Sequence, residues 1–413
     1  MPTAADKASG ASGRASVEAV TALIDAWAAP LQPDAIPLAD APGRITAGAV
    51  TADVDLPPFD RAAADGYALR ADETVGAGAY NALPFKLQPA ATGVAPGSAA
   101  AVESGDPMPA GADAVVRLEQ AFADAAGMIA IVAPVASGSE VERAGGQAAR
   151  ASVLVPAGRR LGPAEIALLA AAGIERVAAH RKPRVRCLLA TGHAVETAGT
   201  LPLPRHAVHD ANGPMLAALV ARDGGVVVDL RAGLRERAAL RDALALPGAD
   251  IVLVAGGTGP GPRDHAAAAL AEAGELAVHG VALRPGESAG AGRISGIPVF
   301  LLPGTPAACL WAYELLAGRA VRRLAGLGPG LPFPTRTLRA GRKIVSEIGM
   351  LEVCPVRCTA GGEAVPIVSF AEAGLAAAAQ ADGFILVPEA SEGHPAGAPL
   401  TVYLDPARSA SAL

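Results

Sequence analysis

Apolar and polar positions alternate in three rhythms along this chain. From residue 15 to 30, ASVEAVTALIDAWAAP puts apolar side chains at helical spacing and stops at Pro30, which predicts a helix. From Leu38 to about Val132 the apolar runs are short and cut by Gly, Pro and Asp, as in AGAVTADVDLPP, LPFKLQPAATG, ADAVVRLEQAF and MIAIVAPV. That rhythm predicts β structure with many turns. LGPAEIALLAAAGIERV, residues 161 to 177, predicts a helix with Pro163 in its first turn and Gly173 near its end.

Residues 184 to 330 change character. VRCLLATG, GVVVDLRAG, IVLVAGG and IPVFLLPG are buried-type strands. They alternate with helical stretches: ANGPMLAALVARDGG with Asn212 as N-cap, RERAALRDALAL, DHAAAALAEAG, and one long helix TPAACLWAYELLAGRAVRRLAG. Continuous apolar strands alternating with helices predict a parallel sheet covered on both faces, with ligands at the carboxyl ends of its strands. After the Gly/Pro linker GLGPGLPFP (326 to 334), the runs KIVSEI, LEVCPVRC, AVPIVSF, FILVPEA and PLTVYLDP predict a small terminal β domain.

Composition narrows the class. A chain of 413 residues is expected to hold two to four domains. Hydrophobic residues are 51% but aromatics only 3%, so the cores are built from small aliphatic side chains. With 34 basic and 40 acidic residues, a net charge of −6 and no basic tract, nucleic acid is not an expected partner. No 18-residue apolar run predicts a membrane span. Residues 1–14 are small and polar, without an apolar secretory segment, and are expected to be a disordered tail. Cys187, Cys309, Cys354 and Cys358 are too scattered for a disulfide framework, and Cys354 and Cys358 lack further ligands nearby in sequence for a four-ligand metal site. A cytoplasmic, enzyme-sized protein is the expectation.

The chemistry concentrates in loops. ATGHAVETAG (190 to 199), AGGTGPGPRD (255 to 264) and PGTPAA (303 to 308) all follow strands of the α/β region and are expected along one sheet edge. Helix starts expose unpaired N–H groups and a positive dipole end, and glycines allow close backbone approach, so an anion pocket is one reading. A tight structural turn is the other. Pro262 breaks the dinucleotide fingerprint, and no G-x-x-x-x-G-K-[ST] occurs, which excludes a P-loop. In LPPFDRAAADGYALRA (56 to 71), Asp65-Gly66 taken alone reads as a turn before a strand.

Together these stretches resemble the molybdopterin molybdenumtransferase (MoeA) family, which includes the E domain of gephyrin. PPFDRAAADGYALRA is similar to the family's PPFDNSAMDGYAVR, and AVESGDPMPAGADAVVRLEQ to its IxTGAPxPxGADAVVxxE. VHDANGPMLAALVARDGG is similar to YDSNxxMLxAxLxxxG, and ADGFILVPEASEGHPAGAPLTVYL to the terminal β domain. The resemblance spans roughly 15 to 406. It implies an elongated, multidomain α/β-plus-β protein. Its parts would be a helical, elongated domain (15–50 and 143–180), an inserted β domain (51–142), a MoaB/Mog-like molybdopterin-binding α/β domain (181–330) and a C-terminal β domain (335–407). It further implies a homodimer, with the site between the α/β domain of one subunit and the β domain of the other. The implied reaction is insertion of molybdate into adenylylated molybdopterin with release of AMP, assisted by Mg2+ or another divalent cation.

Carried over by motif, the resemblance implies Asp65 and Asp264 as catalytic and metal-holding acids. It implies Ser104, Thr191, Gly192, His193, Asp210, Asn212, Gly256, Gly257, Thr258, Arg284, Gly304 and Thr305 as substrate- or cofactor-binding residues. The chain departs from the pattern elsewhere. TGDE has become TGHA at His193 and Ala194, and Gln147 replaces an acid. Gly259 stands at a serine position with Thr258 one residue earlier, and KPGKP reads RPGES, so the second lysine is Glu287. Fewer carboxylates weaken a hard-cation site, and Glu287 facing an anion would repel it. These departures raise an alternative: a catalytically impaired paralogue that binds molybdopterin or finished cofactor and carries it to a molybdoenzyme.

Overall fold

The computed structural model describes residues 13–123, 127–190, 194–195, 208–367 and 374–408. The chain divides into two compact units: Ala35–Ala179, and Met1–Asp34 together with His180–Leu413. Most of the tail expected to be disordered, residues 1–12, lies outside the described residues. No helix among the described residues is long and apolar enough to cross a membrane.

The unit Ala35–Ala179 is built from the short, interrupted runs. Six strands pair in the order Ala114–Arg117, Gly66–Leu69, Ser98–Val102, Leu83–Gln88, Met128–Ile131, Ala121–Ala123. The two edge strands are separated in sequence only by the turn Leu118–Gln120. Alternation along the strands sends Leu69, Phe85, Ala99, Val116, Ile129 and Ile131 into one core. Gly66 admits no side chain, because a Cβ there would collide with the Val116 carbonyl oxygen. A second core gathers Ala41, Val155, Leu161, Leu169 and Val177 around the helix Pro163–Ala171. Pro163 sits where no N–H is needed, and Glu165 Oε2 accepts from Gly162 N at 3.0 Å. Gly173, at φ +74°, then ends the helix, and the chain continues as the strand Arg176–His180. The helix is therefore shorter than the 161–177 pattern predicts.

In the other unit, Val226–Arg231, Arg184–Leu189, Ile251–Ala255 and Ile297–Leu302 form the expected parallel sheet. One edge corrects the expectation: Gly290–Ile294 and Glu275–His279 extend it antiparallel. Ser295 at φ +50° and Gly296 at φ +84° make the two-residue hairpin turn that reverses the chain there. Helices Arg237–Leu244 and Ala266–Ala273 supply the core on one face, with Leu240, Ala266 and Leu270. Asn212–Arg222 and the long C-terminal helix supply the other, with Leu216, Leu316 and Val321. Helix Val17–Trp27, expected with the elongated region, packs here instead. Its Val20 and Ile24 enter this core, and Ala15 is tied by backbone bonds to Gly280 (3.1 Å) and Ala282 (2.8 Å).

The long helix is continuous but not regular: a π turn at Tyr313–Ala317 lies between Pro306–Ala312 and Gly318–Leu324. It brings Glu314 and Arg322 against Arg222 and Asp223. Arg222 donates to Glu314 at 2.6 and 2.8 Å, and Arg322 Nη1 to Asp223 Oδ2 at 2.9 Å. Gly318 leaves room for this network, since a Cβ there would come within 2.9 Å of Asp223 Oδ2 and Arg322 Nη1.

The terminal β region is a closed ring. Leu351–Cys358 pairs with Glu363–Pro366, then Thr335–Ala340, Pro399–Leu404, Gly383–Val387, and back to Leu351–Cys358. Leu338, Val356, Ile385 and Val402 fill it together with Cys354. Thr335–Ala340 was not expected as a strand, because four of its six residues are polar Thr or Arg positions exposed to water.

Candidate active site

The strands Arg184–Leu189, Ile251–Ala255 and Ile297–Leu302 are adjacent and parallel, so the loops after them share one sheet edge. Ala190 N donates to Ala255 O at 2.8 Å and Gly256 N to Leu302 O at 2.9 Å, which tie the loop roots together. Gly256 and Gly257, at φ +90° and +63°, turn the chain through left-handed conformations. A Cβ on Gly257 would come 3.3 Å from the Ala190 side chain, and one on Gly304 3.3 Å from Gly256 Cα. Asn212 Nδ2 donates to Gly304 O at 2.9 Å. Gly256, Gly257, Gly304 and Asn212 thus come together. Thr305 is exposed at the start of the following helix. Thr191, Gly192 and His193 lie outside the described residues.

Two local details differ from the sequence reading. Asn212 is the first residue of its helix rather than the cap. The capping group is Asp210, whose carboxylate accepts from Asn212 N at 3.0 Å and Gly213 N at 3.1 Å. Thr258, one residue before the altered Gly259, is buried at 3% exposure. Its hydroxyl meets Ser288 Oγ at 2.9 Å, and its carbonyl accepts from His279 Nε2 at 2.9 Å. Its side chain faces the protein.

Asp264 closes the glycine loop. Its Oδ2 accepts from Gly261 N at 3.1 Å, and Cβ atoms at 259 and 261 would come within 2.7 and 2.9 Å of that oxygen. The loop is glycine-rich partly because it wraps this carboxylate.

Arg284 is more crowded than the sequence suggests. Its Nε donates to Glu287 Oε1 at 3.1 Å, and its Nη1 to Glu352 Oε1 at 3.3 Å and also to Glu347. Glu287 does not stand as a lone repelling charge. Burial pushes its carboxyl up, but its own backbone N–H, the Gly286 N–H at 3.0 Å and Arg284 outweigh that and hold it below the usual range. Glu352 is 2% exposed, and its Oε2 has no partner among the described residues. Sequence reasoning missed Glu347, Glu352, Ser288 and His279. The first two lie 63 and 68 residues from Arg284, beyond any local pattern, and the others belong to no motif.

In the unit Ala35–Ala179, Asp65 and Ser104 do come together. Asp65 is exposed in the turn before Gly66–Leu69, and its Oδ1 accepts from Ser104 N at 2.7 Å. Ser104 Oγ donates to Ala63 O at 3.3 Å. Nearby in the same motif, Asp60 accepts from Ala144 N at 2.8 Å and pairs with Arg143 at 2.6 Å, and these hold its carboxyl below the usual range. Gln147, where the family has an acid, is exposed, and its backbone N–H donates to Leu56 O at 2.9 Å. Cys354 is a core thiol pushed by burial up to about 12, and Cys358 is half-buried. Among the described residues no three His, Cys, Asp or Glu side chains are arranged to hold a metal ion.

The fold is an α/β domain with glycine-lined loops at its strand ends, together with β domains. Residues 188–323 match the family described as a probable molybdopterin binding domain, and residues 15–173 the MoeA N-terminal region, domains I and II. The chain is similar to molybdopterin molybdenumtransferase 2 of Mycobacterium tuberculosis, 32% identical over 326 residues, covering 75% of this chain and 78% of that one. It is equally similar to molybdopterin molybdenumtransferase 1 of the same organism, 32% over 360 residues, covering 80% and 82%. A crystal structure of a molybdopterin biosynthesis MoeA protein from Pyrococcus horikoshii superposes with a TM-score of 0.72 at 30% identity, covering 95% of this chain and 99% of that one. The chain belongs to the molybdopterin molybdenumtransferase family.

Proposed function

We propose that this protein inserts molybdate into adenylylated molybdopterin, releasing AMP, in molybdenum cofactor biosynthesis. The observation that carries this is the convergence of Gly256, Gly257, Asp264, Gly304 and Asn212 at the strand ends of the domain that matches the molybdopterin-binding family. Backbone cradles at strand ends suit phosphates, which need N–H donors and close approach. Arg284 is the cation for the anionic end, once its carboxylate partners yield to substrate. The curated relatives carry the transferase name over most of their length, which favours this reading over a cofactor carrier.

Asp264 offers a hard oxygen ligand with one oxygen already fixed by Gly261 N–H. That fits magnesium, which typically takes one or two carboxylates and fills its other positions with water and substrate phosphates. In this proposal Asp264 would hold the cation, which would supply neutralisation of charge on the pyrophosphate, and Asp65 would serve as a catalytic acid. Asp264 is held against its own loop by the Gly261 N–H, and Asp65 is fixed by the Ser104 N–H at 2.7 Å. A homodimer in the cytoplasm and the division into four domains, with Val17–Trp27 now assigned to the α/β core, belong to the same proposal.

The test is AMP release from adenylylated molybdopterin with magnesium and molybdate. Wild-type protein turns over, and Asp65→Ala lowers the rate roughly 100-fold or more. Absence of AMP release by the wild type, with tight pterin binding retained, would establish the carrier instead.

A further inference from the structure

We infer that Ser288 is a substrate-binding residue: its hydroxyl donates a hydrogen bond to an anionic oxygen of the substrate, and Thr258 orients it. The inference rests on the proposed function and names a ligand-binding group within that site. Thr258 Oγ1 and Ser288 Oγ lie 2.9 Å apart, so one of the two hydroxyls donates to the other. Each hydroxyl has a single proton and two acceptor positions. Thr258 is 3% exposed, and among the described residues its hydroxyl has no other hydrogen-bond partner. Were Ser288 the donor, the Thr258 proton would be buried without an acceptor, which is disfavoured. Thr258 is therefore the donor, and the proton of the half-buried Ser288 is left for a ligand.

Position supports this assignment. Ser288 lies four residues beyond Arg284 and, through Thr258, directly against the glycine loop of Asp264. That loop has glycine at 259. A side chain there would place its Cβ 2.7 Å from Asp264 Oδ2, so glycine lets that carboxylate lie close against the loop. The hydroxyl comes instead from the neighbouring segment. Thr258 is itself fixed twice, through its hydroxyl and through the His279 bond to its carbonyl, so it is a positioning residue.

The anionic oxygen belongs either to the adenylate phosphates or to molybdate, and two Michaelis constants separate these. In AMP-release assays, Ser288→Ala raises the KM for one of the two substrates about tenfold, as loss of a hydrogen bond to a charged group does, with kcat changed less than threefold. Ser288→Thr, which keeps the hydroxyl, restores KM to within about threefold of wild type. Thr258→Val, which keeps the shape and removes the orienting proton, shifts the same KM in the same direction by a smaller factor. A wild type that releases no AMP would sink the proposed function itself. A wild type that turns over, beside a Ser288→Ala variant with both KM values unchanged, or a Ser288→Thr variant as impaired as Ser288→Ala, would overturn the role of Ser288 alone.

Discussion

Two arginine–carboxylate clusters in the same unit use charge in opposite ways. Along the long helix, Arg222 and Arg322 meet Asp223 and Glu314, two cations for two anions, with Asp223, Glu314 and Arg322 only 1–3% exposed. Near the strand-end loops, Arg284 alone meets Glu287, Glu347 and Glu352, and Glu347 is 65% exposed at its side chain. The first cluster is balanced and, apart from the partly exposed Arg222, buried, so it braces the packing of the π-turned helix. The second has an excess of negative charge and an open side at Glu347. Charge balance, more than the number of ion pairs, separates the brace from the open site.

The largest effect expected from breaking this contrast is in the buried cluster. Asp223→Ala strands Arg322 in the core and should lower stability by about 3–5 kcal/mol, read from chemical denaturation. A loss below about 1 kcal/mol would mean that the network is not a brace. The open cluster should respond in activity instead. Arg284→Lys keeps a positive charge facing Glu352 but loses the planar fork, so AMP release should fall roughly tenfold while stability stays within about 1 kcal/mol of wild type. Equal losses of stability in the two variants would erase the distinction.

The smallest expected effect is a pH signature. The Glu287 carboxyl is held below its ordinary range in the folded protein. Its contribution is therefore complete above the unfolded value of about 4.3 and is lost as pH falls through the lower folded value. Wild type should melt above Glu287→Gln near neutrality, and the gap should close as the solution is acidified below about pH 4.3. A gap that widens in acid would show that Glu287 is not held in its charged form.

The legible parts of the fold were those where burial is continuous or periodic. The runs of Arg184–Leu189, Ile251–Ala255 and Ile297–Leu302 are buried along nearly their whole length, and such runs announce themselves. Gly290–Ile294, GAGRI, carries too little apolar surface to register, and its place depends on a hairpin turn with a left-handed Ser295. The π turn leaves no trace in a pattern that reads helical either way. In the site, the glycine loop and Asp264 were visible because the loop is one contiguous motif. Of the carboxylates around Arg284, Glu347 and Glu352 were not, because chain closure over more than sixty residues brings them there. The same limit hid the Thr258–Ser288 pair, where two unremarkable residues acquire a role only through burial of one of them.

Leu283 and Arg284 form a two-residue strand that pairs in parallel with Leu351 and Glu352, and Leu351 N also donates to Ala282 O at 2.8 Å. The closed β ring is thus sewn to the α/β region by a second seam, independent of the Gly/Pro connection at 326–334. A protease that nicked that connection would leave two pieces that stay associated. A ring transplanted from a relative would have to bring a compatible edge as well as a compatible core. The terminal ring is less a movable module than a half-finished part of the α/β region, and variation in either is constrained by the stitch at Arg284.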